Sequence, residues 1–108
     1  MININLKSSN LELTKALKDY IQLKMNMLEK YLGDVPVINL DFEIEKAVGA
    51  QNKGKIFRAE VNLEVPRDLL RVEKTEADMY KAIDKVKDHL VLLIKKYKEK
   101  IRDKKRGK

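Results

Sequence analysis

The stretch KKYKEKIRDKKRGK, residues 95–108, holds nine Lys or Arg against Glu99 and Asp103. Ammonium and guanidinium groups at this density do one kind of chemistry well: they contact phosphate oxygens and displace the counterions around them. The whole 108-residue chain has a net charge of +7. The ending alone supplies that +7, because residues 1–94 balance at fifteen basic and fifteen acidic side chains. A pI near 9.5 favours an anionic partner, nucleic acid first and an anionic membrane surface second.

Catalytic constellations are poorly supported. The single histidine, His89, lies near Asp84 and Asp88 at helical spacing, which imitates part of a metal site. It stands beside Lys85 and Lys87, however, and reads as a solvated surface residue. Ser8 and Ser9, the only serines, have no base partner in their local sequence. Asp41, Glu43 and Glu45 alternate along one strand face with no cleft-forming loop nearby, so they read as a solvated face and not a carboxylate dyad. Four scattered glycines make no phosphate loop, and the absence of cysteine excludes thiolate chemistry and disulfides. The expectation is a binding protein, not an enzyme, with no cofactor and no metal.

The elements that must position these charges follow from periodicity. Residues 1–6, MININL, alternate and place Ile2, Ile4 and Leu6 on one face of a short strand. Thr14 is the expected N-cap of a helix running to about residue 32, with Leu17, Ile21, Met25, Leu28 and Leu32 as its buried stripe. Gly33 suits a left-handed C-terminal cap, and Pro36 forbids continuation. In VINLDFEIEK, Ile38, Leu40, Phe42 and Ile44 point inward. GAQNKGK reads as a hairpin loop, and alternation returns over residues 57–65. Pro66, Arg67 and Asp68 turn into a shorter fourth strand over 69–73. Thr75 is the expected cap of a last helix with Met79, Ile83, Val86, Leu90, Leu93 or Ile94, Tyr97 and Ile101 as its stripe.

The order β-α-β-β-β-α predicts an α+β fold: a four-stranded mixed sheet with two helices packed on one face. A right-handed crossover makes the first two strands parallel neighbours, and the others pair as antiparallel hairpins. Residues 1–94 form a single α/β domain, and residues 95–108 a basic continuation of the last helix with a flexible tail. The open face of the sheet shows Asp41, Glu43, Glu45, Glu60, Glu64 and Glu73, opposed only by Arg58 and Arg71, and would repel phosphate. It also lacks the aromatics that RNA-binding sheets use to stack bases, since Phe42 and Phe57 point inward. Lysines gather instead on the helices, where Lys15, Lys18, Lys24 and Lys30 join Lys81, Lys85, Lys87, Lys95, Lys96 and Lys98.

The segment DMYKAID, the later K-YK-K lysines and LELTKALKDYIQLKMNMLEKY together resemble the ribosome hibernation-promoting factor family, the former sigma-54 modulation proteins. The likeness covers nearly the whole chain in the same element order. It implies a fold similar to a double-stranded-RNA-binding domain. It also implies a site on small-subunit rRNA and neighbouring ribosomal proteins, in the channel for mRNA and tRNA anticodons, where a wedged protein blocks initiation sterically and keeps idle ribosomes intact. Lys24 and Lys30 match basic positions of the family's first helix, and Lys96, Lys98 and Lys100 match its later lysines. His89 stands where the family has lysine, Leu92 where it has arginine, and Met27 at a frequent lysine position. The expected RNA-binding set is therefore Lys24, Lys30, Lys81, Lys85, Lys87, His89, Lys95, Lys96, Lys98, Lys100 and Arg102. A cytoplasmic protein of stationary phase and stress, without a membrane partner and monomeric off the ribosome, completes the expectation. Two other readings remain: a general double-stranded-RNA-binding module, and an assembly protein pairing with itself through a sheet edge or Leu92.

Overall fold

Alternating apolar residues and two amphipathic helices produce the expected sheet with helices on one side. The computed structural model describes residues 1–47 and 56–105. The strands are β1 (Asn5–Ser9), β2 (Asn39–Lys46), β3 (Phe57–Val65) and β4 (Asp68–Glu76), and the helices are α1 (Lys15–Asn26), α2 (Glu29–Leu32) and α3 (Met79–Lys105). The sheet runs in the order β1-β2-β3-β4, with β1 parallel to β2 and the other pairs antiparallel. The GAQNKGK loop and residues 106–108 of the tail lie outside the described residues.

One face of the sheet is closed by Leu40, Phe42, Ile44, Ala59, Val61, Leu63, Val65, Leu70 and Val72, all buried. Against it pack Leu17, Ile21, Met25 and Leu28 from the first helical segment and Ile83, Val86, Leu90 and Ile94 from α3. Each of these side chains larger than Ala59 contributes about 1.5–3 kcal/mol by leaving water, so this layer contact holds the two helices in fixed relation.

Five local expectations are corrected, the first being Ile101, which is exposed and not part of the buried stripe of α3. The first strand begins at Asn5, not at residue 1, because the backbone of Ile2 is taken by α1: its N–H donates to Asn26 Oδ1 (3.2 Å), and Gln22 Nε2 donates to its carbonyl (2.8 Å). The first helix breaks after Asn26, where Leu28 N–H bonds the Met25 carbonyl at 3.0 Å in a tighter turn, yet the stripe through Leu28 and Leu32 stays buried. Thr75 does not cap α3. It pairs with Arg58 in β4, which is longer than residues 69–73, and Asp78 caps the helix by accepting the Tyr80 N–H (3.2 Å). Ile38 is not inward but 56% exposed, since it precedes β2 and lies outside the core cluster.

Thr14 does cap α1, its hydroxyl accepting the Leu17 N–H at 3.2 Å. Gly33 ends α2 with φ +58° and ψ −120°, a conformation closed to side chains, and a Cβ there would stand 3.4 Å from Lys98 Nζ. Replacing Gly33 by Ala is expected to cost about 1–2 kcal/mol. Thermal unfolding of the variant, lowered by about 5–10 °C, is the check.

Candidate nucleic-acid interface

The charges sort by layer. The helices carry fourteen basic and six acidic residues, whereas the strands carry five basic and eight acidic. On the open face of the sheet, Arg58 is the hub: its guanidinium meets Glu45 and Glu60 at 2.8 Å, Glu73 at 3.5 Å and Glu43 at 3.6 Å. Arg71 adds a 2.7 Å pair with Glu60. Hydrogen bonds from Arg58 and then Arg71 hold the Glu60 carboxyl below its ordinary range. Lys7 also stands on this face, opposite Glu43, a third cation beside the two expected from sequence. The face remains acidic, with Glu43, Glu45, Glu60 and Glu73 held in its own pairs.

The helical side is built around two contacts between the helices. Near its middle, α1 meets α3 through Tyr20, whose hydroxyl donates to Asp84 Oδ1 (2.5 Å) and whose ring meets Tyr80 edge-on at 4.9 Å. The hydrogen bond to Asp84 is the main reason the Tyr20 hydroxyl is pushed up to about 12. Lys24 pairs with the same carboxylate at 3.2 Å and lies over the Tyr20 ring at 5.3 Å. Farther along, Tyr31 of α2 gathers three lysines. The ammonium groups of Lys30 and Lys95 lie 5.2 and 5.4 Å from its ring centroid, and Lys98 Nζ donates to its backbone carbonyl at 3.0 Å.

The eleven residues expected to bind RNA therefore do not form one patch. Lys24, Lys30, Lys95 and Lys98 converge along the seam between α3 and the first two helices. Lys85 and Lys100 reach the other way, to Glu76 (2.7 Å) and Asp68 (3.9 Å) of β4. His89 and Lys96 share their flank by helical spacing, and His89 is half-buried. Lys87 pairs with Asp88 at 3.0 Å. Lys81 and Arg102 are exposed. Among the described residues, Lys30, Lys81, Lys95, Lys96 and Arg102 have no carboxylate within ion-pair distance.

Sequence reasoning missed Tyr31 as the centre of the seam. Lys95 and Lys98 come more than sixty residues after it, so no local pattern joins them. Leu92 is 55% exposed, as its position out of the core stripe implies, and Leu23 and Met27 of the first helix are exposed as well. The described residues contain no group of three His, Asp or Glu placed to hold a metal ion, and no helix long and apolar enough to cross a membrane.

Relatives agree with this architecture. The N-terminal domain of Protein Y from Thermus thermophilus superposes with a TM-score of 0.70 at 32% identity, over 89% of this chain and 99% of that one. A ribosomal subunit interface protein from Coxiella burnetii has the same fold, with a TM-score of 0.73 at 20% identity, over 89% of this chain and 97% of that one. Ribosome hibernation promotion factors of Lactococcus lactis subsp. cremoris and Staphylococcus aureus are 34% and 32% identical over 99% and 98% of this chain. The chain spans about half the length of these curated relatives, 55% and 53%. Residues 4–102 match the model of the Sigma 54 modulation protein / S30EA ribosomal protein family, and the chain belongs to that family.

Proposed function

We propose that this protein is a ribosome hibernation factor that grips small-subunit rRNA through its helical side, in the mRNA/tRNA channel. There it blocks translation by occupancy, without a catalytic step. The observation that carries the reading is the separation of charge: cations without carboxylate partners stand on the helices, while Glu43, Glu45, Glu60 and Glu73 of the open sheet face are closed around Arg58 and Arg71. Long lysine side chains read phosphate position and not base sequence, which suits a folded rRNA surface. The family and the hibernation-promoting relatives support the same partner. Ribosomal proteins bordering the channel are the other expected neighbours, and the protein acts as a monomer before it binds.

Sedimentation with purified small subunits tests it. With about five phosphates contacted, the logarithm of the binding constant should fall with log salt at a slope of about −4, weakening binding about 10²-fold between 50 and 200 mM salt. Pelleting that is unchanged across this range would remove phosphate contacts as the basis of binding. Equal affinity for a plain RNA duplex would point to a general RNA-binding module instead.

A further inference from the structure

We propose that Tyr31 is the positioning residue of a phosphodiester-binding cluster formed with Lys30, Lys95 and Lys98, a site that rests on the RNA-binding reading above and locates its centre. Three ammonium groups from two separate helices are brought to one residue, two against its ring and one on its carbonyl. None of the three has a carboxylate within ion-pair distance among the described residues, unlike Lys24, Lys85, Lys87 and Lys100. Free lysines would repel one another and sample many rotamers. The negative face of the ring attracts two of them without neutralising either. The carbonyl of Tyr31 stands at the end of α2, where the helix leaves acceptors free for Lys98.

An anion arriving here therefore meets cations already in place, and less side-chain entropy is lost on binding. The Tyr31 hydroxyl has no partner among the described residues, so it is free to donate to a phosphate oxygen beside the ammonium groups. By contrast, the Tyr20 hydroxyl is committed to Asp84 and that of Tyr97 to the Pro66 carbonyl. Tyr31 is thus the tyrosine of the seam equipped to position cations and touch the ligand at once.

The test compares Tyr31→Leu and Tyr31→Phe with the parent protein. Tyr31→Leu should bind small subunits about tenfold more weakly, with a shallower salt dependence, because the lysines are no longer held. Tyr31→Phe keeps the ring and should retain the parent's salt slope, losing no more than about threefold in affinity through the hydroxyl. A thermal melt of each variant shows that it is folded under the binding conditions. In parallel, tyrosine-ring NMR signals of the parent protein are followed while a short RNA duplex is added, a readout independent of the ribosome. Shifts at Tyr31 that precede those at Tyr20, Tyr80 and Tyr97 support the site even if small subunits prove not to be the partner. If Tyr31→Leu binds as the parent does with the same salt slope, or if the Tyr31 signals stay unmoved by RNA, the proposal is wrong, while subunit binding by the parent protein would leave the broader reading standing.

Discussion

Reversing Lys30, Lys95 and Lys96 to Glu together is expected to lower affinity for small ribosomal subunits by about 10³-fold near physiological salt. All three are exposed and lack a carboxylate partner among the described residues, so their charge is available to a ligand and their loss breaks no ion pair. Each reversal removes one attraction and adds one repulsion. A single lost phosphate contact reduces the salt slope by about one, so the triple variant should bind with a slope at least three units shallower. Lys7→Glu is the matched control: it changes charge equally per site, but on the acidic open face of the sheet opposite Glu43. It should leave binding within about twofold. Co-sedimentation over a salt series reads both numbers. Equal losses from Lys7→Glu and from a single helical reversal would mean that net charge alone, not its placement, drives association.

The contrast between those variants depends on features of unequal legibility in the sequence. Strand alternation and helical stripes identified the layers, because one face of β2 and β3 is apolar at every second residue and the period admits one orientation. The acidic open face followed from the same parity. Element ends were less readable. Ile2 looked like a strand residue by type, but its backbone is claimed by Gln22 and Asn26 of α1, a contact twenty or more positions away. Thr75 reads as the cap by type, but β4 extends to Glu76 as the partner of β3, so the cap moves to Asp78. The candidate site was legible as a population of lysines but not as geometry. Whether a lysine is free or engaged depends on which carboxylate the fold sets beside it, as Asp84 does for Lys24 and Glu76 for Lys85. Tyr31 carries no local mark of its role, since two of its three lysines, Lys95 and Lys98, come from a helix at the far end of the chain.

The hub of the sheet makes the second large prediction, and it separates stability from binding. Arg58→Met keeps the bulk of the side chain but removes the cation from among Glu43, Glu45, Glu60 and Glu73. The Arg58 side chain is only 20% exposed, and Glu60 only 12%, so the remaining carboxylates are poorly screened. A loss of about 2–3 kcal/mol at pH 7 is expected, below that of a fully buried pair because Glu73 and Arg71 meet solvent. Thermal unfolding should fall by about 10 °C or more. The sign of the pH dependence follows from Glu60, whose carboxyl lies below its ordinary 4.5 in the folded protein. A depressed carboxyl contributes stability that is present above that ordinary value and lost as pH falls through the folded one. Acid therefore weakens the parent protein, while protonation relieves repulsion among the orphaned carboxylates of the variant. The gap between their melting temperatures should narrow as pH drops from 7 towards 4, and a constant gap would show that packing of the aliphatic stem, not charge, is what Arg58 supplies. Below its melting temperature the folded variant should still bind small subunits as the parent does, because the open sheet face makes no contacts with the rRNA. Weaker binding by the folded variant would place the open sheet face, against expectation, within the interface.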